Sequence, residues 1–255
     1  MSSQFAADSG SRRAERMRLL AQPVAVVVLV VAVLGWAFGQ DLSEVTRRSL
    51  NVPKIVELSW QHFLISLAVA CIVVLVAVPL GVLLSRPWAR RAAPLVIGLA
   101  NIGQAAPSVG LLVLFFLVTN GTTGFWIAVL PMALYALLPV LRNTIVGLQQ
   151  VDPSLIDAGR GIGMSGAKVL LRIELPLSIP FILAGLRTAL VLAVGTATLA
   201  LFVGAGGLGE LIDTGYKLNN WTVLSVGAVL AMALALLVDW LGALAETYLS
   251  PRGLR

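Results

Sequence analysis

Six apolar runs alternate along this chain with short polar links, at residues 23–39, 63–85, 95–118, 125–148, 177–203 and 221–248. A helix needs ~20 predominantly apolar residues to cross a bilayer, and each run is near or beyond that length. The pattern predicts an all-α polytopic membrane protein of about six transmembrane helices. One polar, charged island stands out between the fourth and fifth runs, at residues 152–176, DPSLIDAGRGIGMSGAKVLLRIELP. Asp152 suits a helix N-cap, and Pro153 suits the first helical position, where no N–H is needed. Gly161 and Gly163 end that helix, since glycine accepts the left-handed cap conformation. Ser165 caps a second short helix running toward Glu174, and Pro176 marks a break before the next apolar run. The island reads as helix, glycine turn, helix outside the membrane, a knob suited to a partner's groove.

Composition agrees with the pattern. The chain is 58% hydrophobic and 12% charged, too apolar for a soluble domain. No second domain large enough to fold alone is visible. The net charge of +6 points to orientation rather than to nucleic acid. Arg12, Arg13, Arg16, Arg18, Arg86, Arg90, Arg91, Arg142, Arg160, Lys168, Arg172, Arg252 and Arg255 fall on one side if the spans alternate. Only Arg47, Arg48, Lys54 and Lys217 fall on the other. The positive-inside rule then places both termini, and the 152–176 island, in the cytoplasm. The first run, preceded by a basic tail at 1–22, reads as a retained extra helix because it exceeds a usual signal core. Cleavage near Ala37-Phe38-Gly39 is the alternative and leaves five spans in the same orientation.

Candidate chemistry is sparse. Cys71 is the single cysteine and lies inside a span, which excludes an intrachain disulfide and a cysteine-based metal site. The lone His62 reads as an interfacial polar residue at a span entrance. Gly204 to Gly209 matches G-x-G-x-x-G, but a membrane helix precedes it instead of a soluble strand, so it reads as a flexible turn leaving the fifth span. Lys54, Lys168 and Lys217 each follow a residue other than glycine, so no phosphate-binding Walker loop exists. The chain is therefore expected to bind no ATP and no cofactor itself, and to act as no enzyme. Asn101, Gln104, Pro107 and Ser108 interrupt the third span and are candidates for lining a path, or for packing between helices. Thr188, Thr196 and Thr198 pose the same choice and favour packing. Arg187 and Asp239 lie deep in the fifth and sixth spans. Each would cost ~2.5–3.5 kcal/mol unpaired at a helix centre, which suggests a mutual ion pair. Aromatics are thin, and no cage for a quaternary ammonium declares itself.

The island also carries a resemblance. Its spacing resembles the EAA loop of binding-protein-dependent ABC importer permeases: Glu-Ala-Ala, three residues, Gly, nine residues, Ile, one residue, Leu-Pro. Asp157, Ala158 and Gly159 take the first three places, Gly163 the glycine, Ile173 the isoleucine, and Leu175 with Pro176 the end. Two positions depart. Asp for Glu keeps the charge on a shorter arm, and Gly for the second Ala loosens the helix by ~1 kcal/mol. From about residue 58 to 255 the chain is similar to permeases of glycine betaine/choline/carnitine uptake ABC transporters. ATLALFVGAGGLGELI (197–212) and the Pro-Arg-Gly-Leu ending (251–254) carry most of that likeness. The first helix lies outside it.

The resemblance implies a type I importer permease in a bacterial cytoplasmic (inner) membrane, with residues 152–176 as coupling loop. It implies a cytoplasmic ABC ATPase dimer that binds ATP, an extracytoplasmic solute-binding protein, and a second permease copy or a sibling permease. The readings kept beside it are an ABC permease for methionine or another small solute, a secondary transporter acting alone, and a non-transporting membrane scaffold. No internal symmetry supports the secondary transporter.

Overall fold

The chain folds into helices joined by short links, and the computed structural model describes residues 2–249, with side chains from Leu20 onward except that of Val45. The helices are α1 (Ser2–Phe38), α2 (Glu44–Ser49), α3 (Val52–Ser85), α4 (Ala93–Ala105), α5 (Ser108–Val118), α6 (Phe125–Gln149), α7 (Pro153–Gly161), α8 (Gly166–Val169), α9 (Leu175–Ala197), α10 (Gly209–Lys217) and α11 (Trp221–Leu249). Five stretches are long and apolar enough to cross a membrane singly: Leu20–Phe38, Val52–Ser85, Phe125–Gln149, Gly166–Val203 and Trp221–Leu249.

The 95–118 run departs from the straight span expected. It breaks into α4 and α5, which meet at 98°. Pro107 lacks an N–H and forces the residue before it out of helical backbone; Ala106 is extended at ψ 140°. Neither half spans the hydrocarbon alone, at roughly 20 and 16 Å. The pair nonetheless crosses as a unit. At its start Arg86 is paired with Glu174, at the base of α9. At its end the Gly124 N–H donates to the Val203 carbonyl at 2.7 Å, at the far end of the same rod. The bent pair is thus the sixth crossing.

A second departure concerns Pro176. No break occurs there. α8, a π-type turn at Leu170–Glu174, α9 and a 3-10 turn at Thr198–Val203 form one helical rod of 38 residues. Pro176 stands in the first turn of α9, where the register changes from π to α and an N–H is dispensable.

α6 is the centre of the bundle. It packs on α3, α4, α5 and α9. On α3 the fully buried residues Ile65, Val69, Val73 and Ala77 recur every fourth position, as do Ala189, Ala193 and Ala197 on α9. Small residues at that spacing let helix backbones approach closely. At Gly185 an added Cβ would stand 2.8 Å from the Pro139 carbonyl oxygen of α6. α1 is peripheral and rests on α11, with Val24, Val27, Val28 and Val31 exposed along it. A smaller apolar cluster, at the end of the bundle opposite the 152–176 island, joins Ala37, Leu50, Leu58, Leu208, Leu211 and Val223.

Candidate functional site

The polar island at 152–176 forms through local chemistry. The Asp152 carboxylate accepts from the Ser154 N–H at 2.8 Å and starts α7. That bond, with one from the Ser154 hydroxyl, holds the Asp152 carboxyl below its ordinary value. α7 ends in paired reverse bonds: Met164 N–H to the Gly159 carbonyl at 3.0 Å and Gly163 N–H to the Arg160 carbonyl at 2.9 Å. Gly163 sits at φ +85°, the left-handed position such an ending requires. Ser165 Oγ then accepts from the Lys168 N–H and opens α8.

The loop presents two faces. Gly159 is buried against the rod, and a Cβ there would stand 2.7 Å from Ile173 Cδ1. The departure from alanine therefore admits the Ile173 methyl, which packs the loop onto the start of the rod. Asp157 and Ala158 are exposed, as are Leu155 and Ile162 at 46% and 77%. Leu175 and Pro176 are half-buried inside the rod. α7 is thus a 9-residue helix that exposes Leu155 and Ile162 beside the charge of Asp157.

The structure also pairs residues whose link the sequence reading missed. Glu174 is buried, and Arg86 forks onto its two oxygens, Nη1 to Oε1 at 3.2 Å and Nη2 to Oε2. This ion pair ties the end of α3 to the π-type turn. The available signal was a single carboxylate in the motif's variable place.

In the membrane, Arg187 and Asp239 are brought together. Arg187 donates Nη2 to Oδ2 at 2.7 Å and Nε to Oδ1. Gln22 of α1 donates to the same Oδ2 at 3.1 Å and to the Leu236 carbonyl at 3.0 Å. Glu246 lies 3.9 Å from Arg187 Nη1. Arg187, Asp239 and Glu246 border a groove of about 510 Å3 between α9 and α11. Asn101, Gln104, Pro107 and Ser108 lie elsewhere, along α4 and at the bend, and none borders this groove. Thr188 does border it; like Thr196 and Thr198, it donates its hydroxyl back to a carbonyl of its own rod, that of Ala184.

His62 corrects its sequence reading. It is fully buried, with Nε2 2.9 Å from the Val194 carbonyl and Nδ1 accepting from the Leu208 N–H at 3.2 Å. One neutral tautomer satisfies both. Gln61 accepts from the Gly207 N–H at 3.1 Å. The 204–209 turn is therefore fastened to α3 and α9, against the flexible connector expected.

Comparison with known proteins places this architecture. The family model described as binding-protein-dependent transport system inner membrane component matches residues 77–250. The chain is 41% identical over 197 residues to the choline transport system permease protein OpuBB of Bacillus subtilis, covering 77% of this chain and 89% of that one. It is 40% identical to that organism's glycine betaine/carnitine/choline permease OpuCB, covering 76% and 88%. It is 36% identical to the osmoprotectant import permease OsmY of Salmonella typhimurium, covering 89% and 93%. A chain of the MetNI methionine ABC transporter shares the fold, with TM-score 0.68 and 22% identity over 79% of this chain and 100% of that one. With the membrane bundle and its capped island in view, the breadth of these matches means that this chain belongs to the family of inner membrane components of binding-protein-dependent transport systems.

Proposed function

We propose that this chain is the membrane-spanning permease subunit of an ATP-driven importer for compatible solutes of the glycine betaine, choline and carnitine class. The observation that carries the substrate class is the identity to osmoprotectant and choline permeases along most of both chains. The likeness to the methionine transporter chain, at 22% identity, speaks for the fold alone. With no Walker loop in the sequence, ATP is bound by a separate cytoplasmic ATPase dimer, and the chain carries no cofactor. An extracytoplasmic solute-binding protein delivers substrate, and a second permease copy or a sibling completes the pathway.

Both termini are cytoplasmic in this reading, on the asymmetry of basic residues. α7 is the coupling helix. Leu155, Ala158 and Ile162 offer it close apolar contact with the ATPase, Asp157 an anchoring charge, and Gly163 the reversal. The amides of Asn101 and Gln104 have no hydrogen-bond partner among the described residues, which supports their facing the path or the second permease. The test is reconstitution in liposomes with the ATPase and binding protein, using labelled glycine betaine, choline, carnitine and methionine. ATP-dependent uptake of a quaternary amine is expected. Uptake of methionine alone discards the substrate class, and equal uptake without the ATPase discards the mechanism.

A further inference from the structure

Gly204 to Gly209 is rich in glycine because neighbouring elements crowd it. A Cβ added at Gly206 would stand 2.0 Å from Gln61 Oε1, and one at Gly209 1.9 Å from the Thr198 carbonyl oxygen. Gly206 and Gly207 also take positive φ, +78° and +95°, a conformation that other residues resist.

The bonds that hold this turn rise from one face of α3, where Lys54, Glu57 and Gln61 follow at helical spacing. Gln61 Nε2 donates to Glu57 Oε1 at 3.1 Å, and its Oε1 accepts from the Gly207 N–H at 3.1 Å. Lys54 Nζ lies 3.8 Å from Glu57 and 3.5 Å from Glu210, in the first turn of α10. His62 reaches deeper. Its Nδ1 accepts from the Leu208 N–H, and its Nε2–H donates to the Val194 carbonyl of α9. Val194 lies just before the rod passes from α to 3-10 geometry, where the Thr198 N–H turns to the Thr196 carbonyl. The imidazole thus supplies a donor where the helix ladder changes register. One buried ring bonds the rod with one nitrogen and the glycine turn with the other. α10 is closed on α11 as tightly: a Cβ at Gly215 would stand 2.3 Å from the Leu224 nitrogen.

Resting on the transport reading above, we infer that His62 is a positioning residue for transport. With Gln61 it joins α3, the end of the rod and the glycine turn into one body, at the end of the bundle opposite the 152–176 island. The solute path opens and closes at that end by displacement of the whole body, and the turn never swings free of α3. Loss of either ring bond leaves a buried backbone group unpaired and lets one element part from the others.

The test uses the full chain with its ATPase and binding protein in liposomes, in a Cys71→Ser background carrying Lys54→Cys and Glu210→Cys. A short bifunctional thiosulfonate staples α3 to the end of the turn and is removed by reduction. Uptake of glycine betaine and ATP turnover are read before stapling, after it, and after reduction. The stapled protein is expected to import at nearly the unstapled rate. His62→Asn keeps an acceptor for Leu208 and His62→Gln a donor for Val194, so each loses one bond. Each should consume several-fold more ATP per solute imported. Stapling should return His62→Gln, whose turn is loose, toward the wild-type ratio. A staple that stops uptake until it is reduced overturns the inference, because the turn must then part from α3. Uptake and ATP turnover that fall in proportion in both variants, or do not change, overturn it too, since His62 then holds only the fold or does nothing for transport. Those results leave the transport reading standing wherever the unstapled protein imports a quaternary amine with ATP. Absence of that uptake removes the transport reading itself, and the inference with it.

Discussion

Single residues set the conformation of the α7–α8 knob, and their failure should be local. Gly163 at φ +85° has open space around it, so a substitution there is opposed by backbone alone. Gly163→Val should cost about 1–2 kcal/mol in the turn. The chain should still reach the membrane fraction, while solute uptake and stimulation of the ATPase fall together. Gly163→Asn should be much milder, since asparagine tolerates the left-handed region. Asp152 gives the knob a pH response. Its carboxyl is held below the ordinary value by its bonds to Ser154, so its contribution is present above ~4 and is lost as pH falls through the folded value. Amide exchange in the first turn of α7 should quicken over that window. Asp152→Asn, which caps without titrating, should remove the pH dependence.

At the scale of elements, the decisive joint is where α3, the π-type turn and α9 meet. Glu174 is 5% exposed and Arg86 27%, so removing either partner strands a charge. Arg86→Met alone should destabilise by the lower end of about 3–5 kcal/mol. Arg86→Met with Glu174→Gln should cost less than the first change alone, as read by thermal unfolding in detergent. This joint also marks how far the sequence is legible. The ends of α7 were readable because Asp152, Pro153, Gly163 and Ser165 act on backbone two or three residues away. The Arg187–Asp239 pairing was readable because charges inside apolar spans need partners. The burial of His62 depends on Leu208, 146 positions away, and the partner of Glu174 on Arg86, 88 away. No local pattern encodes such distances. Pro176 misled for a related reason: a missing N–H breaks a helix only where the register needs that donor.

Across the whole molecule, the bent pair fixes the count of crossings and hence which loops share a side. Thr122, Ser165 and Tyr216 are all exposed. Cysteines introduced there in a Cys71→Ser background should divide cleanly. The one at Ser165 should react only from the cytoplasm, and those at Thr122 and Tyr216 only from outside. Reaction of the Ser165 position from outside would overturn the orientation and the coupling role of α7 together. The rod from Gly166 to Val203 has a mechanical consequence. It closes on the α6 backbone at Gly185, 19 residues from one end and 18 from the other. Close packing there permits tilting but little sliding, so the crossing acts as a fulcrum with lever arms of roughly equal length, near 28 Å each. A sideways displacement imposed on the knob at one end is returned at the fastened glycine turn at the other, in the opposite sense and with almost the same amplitude.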